Sequence, residues 1–160
     1  MSHYRAPTPA SVPGARTLTT RALLTLIEEK ATVLIDVQAV TVRPDVEKEF
    51  GISWLPNKTR YHIPNSTWLP NVGYGDLQPN MDRYFRGQLD RLTGGDLHQP
   101  IVVYCIIDCW MSWNAVQRAS RYGYTDVYWY PKGSDGWAQH GLPLTEATPI
   151  PTSNIETEVP

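Results

Sequence analysis

The stretch Ile101-Val102-Val103-Tyr104-Cys105-Ile106-Ile107-Asp108-Cys109-Trp110-Met111-Ser112-Trp113-Asn114-Ala115 decides the fold. Its first four residues are apolar without alternation, the pattern of a strand buried on both faces. From Trp110 onward the pattern turns helical, and Gly123 stops it. A buried strand that runs into a helix within a few residues reads as one step of a parallel sheet covered by helices.

The alternation repeats outward from this step. Upstream, Thr19 or Thr20 can cap a helix whose apolar residues Ala22, Leu23, Leu26 and Ile27 recur at three and four. The run Ala31-Thr32-Val33-Leu34-Ile35-Asp36-Val37 then predicts a buried strand ending at Asp36. Residues 38–80 are rich in Pro, Asn, Gly and Trp and give only a short strand and turn within 60–69. Asn80 is the expected cap of a helix carrying Met81, Tyr84, Phe85, Leu89 and Leu92 on one face and ending at Gly94 and Gly95. Downstream, Val127-Tyr128-Trp129-Tyr130 is a third buried strand. In such sheets ligands bind outside the carboxyl ends of the strands, which picks out Asp36, Cys105 and residues 131–137.

Composition narrows the function classes. With 160 residues the chain suits one domain, and 41% hydrophobic against 19% charged residues excludes a wholly disordered chain. A formal charge of −2 gives no reason to expect nucleic acid. No apolar run approaches the roughly 20 residues that span a bilayer. Pro7, Pro9, Pro13 and Gly14 make residues 1–16 an extended arm, and the tail from Thr145 reads as irregular. Composition leaves the compartment open.

The chain has two cysteines, Cys105 and Cys109. A strand-to-helix turn aims successive N–H groups at one spot, and the helix dipole adds positive potential there. A thiol at that spot ionises more readily than a free one, and the thiolate is the nucleophile. Cys109 shares the field. Asp108 can cap the helix, and its charge opposes thiolate formation. A cysteine at a strand end is otherwise a small buried apolar group; two of them flanking one turn favour chemistry. A disulfide across so short a loop stabilises by roughly 2 kcal/mol in the loop-entropy model, a poor staple but a fitting redox switch.

Asp36 is expected to hold backbone near this loop, and His62 to brace a turn. His3, His98 and His140 have no ligand spacing, so no metal site and no cofactor are expected. Trp110, Trp113, Trp129 and Trp137 are either packing residues or a flat aromatic wall for a planar ligand or partner. Ser112 and Asn114 are placed to order the loop. Arg118 and Lys132 are cations able to reach it from outside the motif.

The order Leu34-Ile35-Asp36-Val37, His62-Ile63-Pro64, Val102-Val103-Tyr104-Cys105, Val127-Tyr128-Trp129-Tyr130-Pro131-Lys132-Gly133, Gly136-Trp137 and Gly141-Leu142-Pro143 resembles a rhodanese domain over residues 17–146. The resemblance implies an α/β fold, a parallel sheet of about five strands flanked by helices on both faces. It divides the chain into an arm, residues 1–16, the rhodanese-like domain, 17–146, and a tail, 147–160. Within that superfamily, Cys105-x3-Cys109-Trp110, with Gly123-Tyr124, Trp129-Tyr130-Pro131-Lys132-Gly133 and the opening Tyr4-Arg5-Ala6-Pro7-Thr8-Pro9, is similar to the bacterial PQQ-dependent catabolism-associated CXXCW motif proteins. That likeness implies a periplasmic protein, its signal peptide lying outside this sequence, associated with PQQ-dependent alcohol oxidation. Expected partners are a component of a PQQ-dependent dehydrogenase system or a periplasmic thiol reductant, with no nucleic acid and no membrane.

The rhodanese likeness also implies that Cys105 is the sulfur-carrying residue, its persulfide cradled by the loop amides. The active rhodanese loop usually carries an Arg five residues after its Cys, and the related phosphatase loop six; here Trp110 and Met111 stand there. A dianion would meet only backbone donors. The first expected function is therefore thiol redox or sulfur handling. Cys105 attacks, Cys109 resolves and Asp108 lies beside them; Ile106, Ile107, Trp110, Met111, Ser112, Asp36 and Trp129 form the binding surround. The second is a non-catalytic module binding a planar ligand, a metal or a partner protein. The third, thiosulfate sulfurtransferase activity, is disfavoured for want of the loop Arg.

Overall fold

The computed structural model describes residues 6–40 and 59–151. Much of the hard-to-assign segment 38–80, and the outer parts of both expected tails, lie outside the described residues. Among the described residues seven strands run in chain order: β1 Arg16–Thr17, β2 Val33–Asp36, β3 Tyr61–His62, β4 Ser66–Trp68, β5 Ile101–Tyr104, β6 Val127–Tyr130 and β7 Thr145–Glu146. Among the described residues there are four helices: α1 Thr20–Glu29, α2 Pro79–Thr93, α3 Trp110–Arg121 and α4 Gly133–Gln139.

Five strands form one parallel sheet in the order β1-β6-β5-β2-β4. The short pair β3-β7 is antiparallel and separate. Because β5 is central and buried throughout, all of Ile101, Val102, Val103 and Tyr104 have no exposed surface. Alternate side chains go to opposite faces. Ile101, Val103, Val127 and Trp129 join Phe85 and Leu89 of α2 and Ala115, Val116 and Ala119 of α3 in one core. Val102, Tyr104, Tyr128 and Tyr130 join Leu23 and Leu26 of α1 and Trp137 of α4 in the other. Helices therefore cover both faces, as the apolar runs require.

Local chemistry accounts for most boundaries. Thr19 caps α1, its hydroxyl accepting from the Ala22 N–H at 3.1 Å. Gly94 ends α2 in the left-handed conformation, φ 65°. The sequence places the start of α2 at Asn80, but Gln78 is its N-cap and Pro79 its first residue, where a missing N–H costs nothing. Helix α4 has no counterpart in the sequence reading: it is seven residues long and Gly133 and Gly136 interrupt its pattern. The tail is more ordered than expected. It supplies β7, and the Ile150 N–H donates to the Trp68 carbonyl at 3.0 Å.

Candidate functional site: a buried thiol pair at the end of the central strand

Strand parity fixes where Cys105 points. It follows Ile101 and Val103 on the α3 side of the sheet, so its thiol continues their row into the core and has no exposed surface. The loop then turns at Asp108, whose φ of 54° lies in the left-handed region that Asp tolerates better than most residues. This turn brings Cys109 back over Cys105. The one S–H of Cys105 has two acceptors within reach, Cys109 Sγ at 2.7 Å and the Gln38 side-chain oxygen at 2.9 Å.

Cys109 is itself the N-cap residue of α3. The N–H groups of Met111, Ile106 and Ser112 act on its sulfur without closing a regular capping bond. Its thiol is lowered to about 7, chiefly by the Cys105 hydrogen bond and then, against the cost of burial, by those amides. Burial pushes Cys105 well up, and the hydrogen bond and charge of Cys109 add to the rise. The sequence expects both thiols to share the amide field, whereas that field falls on Cys109 and burial dominates at Cys105. The physical reason is the even register of β5, which sends the first sulfur under the loop.

Residues beyond the loop hold its backbone. The Cys105 carbonyl accepts from the Ser134 N–H at 3.0 Å and the Ser134 hydroxyl at 3.3 Å. The Ile107 N–H donates to an Asp135 carboxylate oxygen at 3.1 Å. Gly133, with φ 58°, lies so close beneath that a Cβ there would sit 2.3 Å from the Cys105 carbonyl oxygen. The Ala6 N–H of the amino-terminal arm donates to the Asp108 carbonyl at 3.0 Å.

A parallel sheet in this order, covered by helices on both faces, has known counterparts. The family model of the rhodanese-like domain matches residues 19–140. The chain belongs to the rhodanese-like domain family. Among solved structures, it is similar to the polysulfide-sulfur transferase homodimer of Wolinella succinogenes. The identity is 21% and the TM-score 0.50, over 82% of this chain and 78% of that one. It is also similar to SseA of Escherichia coli, a 3-mercaptopyruvate sulfotransferase, at 16% identity and a TM-score of 0.54. That match covers 86% of this chain and 54% of the other, so this chain spans about half of SseA. At these identities the likeness establishes the fold. No curated protein matches the sequence.

In this rhodanese-like domain Asp36 is fully buried and holds its surroundings together. Its carboxylate pairs with Arg60 through two hydrogen bonds of 2.9 and 3.0 Å. It also meets His62 Nδ1 at 3.0 Å and accepts from the Gln38 N–H at 3.0 Å. Burial opposes the Arg60 charge, but Asp36 more than offsets this and raises its pKa. Arg60 also reaches the Cys105 carbonyl at 3.4 Å. The domain thus has a guanidinium behind the loop that the sequence reading did not assign.

Several expected site residues lie elsewhere. Asp108 does not cap α3; it is exposed, and it is not among the leading influences on either sulfur. Trp129 does not line a mouth. It is fully buried in the sheet, and its indole N–H donates to Ser112 Oγ at 3.0 Å. Ser112 in turn donates to the Cys109 carbonyl at 3.2 Å, so it orders the loop. Trp137 is core, bonded to the Pro143 carbonyl. Trp110 and Trp113 do pack edge to face, centroids 4.9 Å apart, and the buried Trp110 indole N–H has no hydrogen-bond partner among the described residues. Arg118 bonds the Val72 and Gly75 carbonyls, and Asn114 the Gly73 carbonyl. Ile106 and Ile107 are half-buried, and Met111 is buried.

The field at Cys109 sets a pH dependence. Only the thiolate reacts, so alkylation at Cys109 should rise with pH, half-complete near the value of about 7. Cys105→Ala removes the main stabilising donor and should move that midpoint up toward the free-thiol value of roughly 8.5. Peptide mass mapping of iodoacetamide labelling against pH checks both. An unmoved midpoint in Cys105→Ala would rule out the S–H donor as the cause.

Proposed function

We propose that this rhodanese-like domain performs sulfur handling or thiol redox chemistry through the Cys105–Cys109 pair, as a periplasmic accessory of PQQ-dependent alcohol oxidation. One observation carries the chemistry: two sulfurs 2.7 Å apart at the end of the central strand, one of them in a field of loop amides. Such a pair is placed to pass between dithiol and disulfide, or to accept a sulfane sulfur and release it. The fold it shares with the Wolinella polysulfide-sulfur transferase accords with sulfur as cargo. The periplasmic and PQQ-linked setting rests on the Cys105-x3-Cys109-Trp110 motif. The reductant that reopens the disulfide is then a periplasmic dithiol, or a component of the dehydrogenase system.

Thiosulfate is a poor donor in this reading. Trp110 and Met111 replace the loop cation, and Arg60 is committed to Asp36 behind the loop. Thiosulfate-to-cyanide turnover should fall below about 1 per second, under the ordinary enzyme range. Inorganic polysulfide or mild oxidant should instead convert the free thiols to a persulfide or a disulfide, read by intact mass. Faster thiosulfate turnover would reverse the order of donors, and thiols inert to polysulfide and oxidant alike would overturn the proposal. Cell fractionation that leaves the protein in the cytosol would overturn the location.

A further inference from the structure

Cys109 keeps 5% of its surface in solvent and Cys105 none, so a donor reaches the pair from the Cys109 side. The loop amides also serve Cys109. Cys105 lies behind it, with its single proton between Cys109 Sγ and the Gln38 side-chain oxygen. Gln38 is held in place at both backbone atoms. Its N–H donates to Asp36, and its carbonyl accepts from the Trp68 indole at 2.7 Å. When the S–H turns to Gln38, a lone pair of Cys105 faces Cys109.

From this geometry we infer that the two sulfurs divide the work: Cys109 accepts a sulfane sulfur from a polysulfide or persulfide donor, and Cys105, positioned by Gln38, expels it as sulfide. The inference rests on the sulfur-handling reading above. In the first step the Cys109 thiolate attacks the outer sulfur of a donor R–S–SH. A new S–S bond forms on Cys109, the donor S–S bond breaks, and its electron pair leaves on R–S⁻. In the second step the Cys105 sulfur attacks the inner sulfur of the Cys109 persulfide. The Cys105–Cys109 bond forms, the outer S–S bond breaks, and HS⁻ departs with the Cys105 proton as H2S. The dithiol is oxidised to a disulfide and the sulfane sulfur is reduced to sulfide, so no other reductant is consumed. A dithiol reductant restores the pair for the next cycle. This reverses the order that the rhodanese resemblance implies for the two cysteines.

The experiment is a single turnover of the reduced protein with inorganic tetrasulfide, quenched by alkylation and read by mass. Wild type should finish as the Cys105–Cys109 disulfide, two hydrogens lighter, with one added sulfide released. Cys105→Ala should stop one sulfur heavier, with that sulfur on Cys109. Cys109→Ser should gain none. Because either substitution touches the core, Gln38 gives an independent arm at a half-buried position. In Gln38→Leu the Cys109 persulfide should persist about fivefold longer, the loss of one hydrogen bond of about 1 kcal/mol. Gln38→Glu, which keeps an acceptor at the same reach, should restore the release step. Sulfur found on Cys105 in Cys109→Ser, or unchanged release in Gln38→Leu, overturns the division of labour while leaving sulfur handling intact. No added sulfur and no disulfide in any of these proteins overturns the sulfur-handling reading, and the inference with it.

Discussion

Gly133→Ala is expected to lower the melting temperature by roughly 6–12 °C, from a loss of about 3 kcal/mol spread over a chain of this size. Two effects add. The residue has φ 58°, where a side chain is strained. Its new Cβ would also sit 2.3 Å from the Cys105 carbonyl oxygen and 2.9 Å from the Ile106 Cα, both backbone atoms that a rotamer change cannot move. The loop would have to lift, breaking the bond from the Ser134 N–H to the same carbonyl. Gly94→Ala is the control. Gly94 has φ 65° but open space around it, so it carries the strain without the collision and should cost about 1 kcal/mol. Thermal unfolding followed by circular dichroism compares the two. Equal losses would mean that α4 does not support the loop by close approach.

Asp36→Ala should cost about 3–5 kcal/mol, because it strands the Arg60 guanidinium in a site where its side chain is only 12% exposed. It also removes the acceptor for His62 and for the Gln38 N–H. The double variant Asp36→Ala/Arg60→Leu removes the orphaned charge and should regain a large part of that loss, even though it deletes more native contacts. Urea denaturation of the two single variants, the double variant and wild type completes the cycle. A double variant no more stable than Asp36→Ala would show that the ion pair is not the source of the cost. The expected side effect is slower sulfide release, since Gln38 loses one of its two backbone anchors.

What the sequence revealed was whatever depends on neighbours along the chain. The apolar runs at residues 33–36, 101–104 and 127–130 are short, unbroken and bounded by helical patterns, so their place in a parallel sheet could be read directly. The loop was legible for the same reason: both cysteines lie within five residues of a strand end. The division between the two sulfurs was not. It depends on which face β5 turns toward α3, and four consecutive apolar residues do not reveal that parity. Trp129 misled in a related way. Its position at the end of the third strand suggested a mouth, whereas a strand buried on both faces sends its tryptophan into a core. Arg60 and Gln38 were hidden because they act across 45 and 67 positions of sequence, from a stretch with no periodic pattern. One signal pointed toward Arg60. A carboxylate at the end of a buried strand needs a charged partner, and Asp36 therefore called for a cation somewhere.

The backbone bond between Ala6 and Asp108 ties the tip of the loop to a segment more than a hundred residues earlier. Any movement that lifts Asp108 breaks this bond and releases the amide to water. Deuterium uptake at Ala6 then becomes a clock for access to the sulfurs, readable without labelling either of them. A purification tag at the amino end would load the same bond, so kinetic work on the thiols belongs with tags at the opposite end.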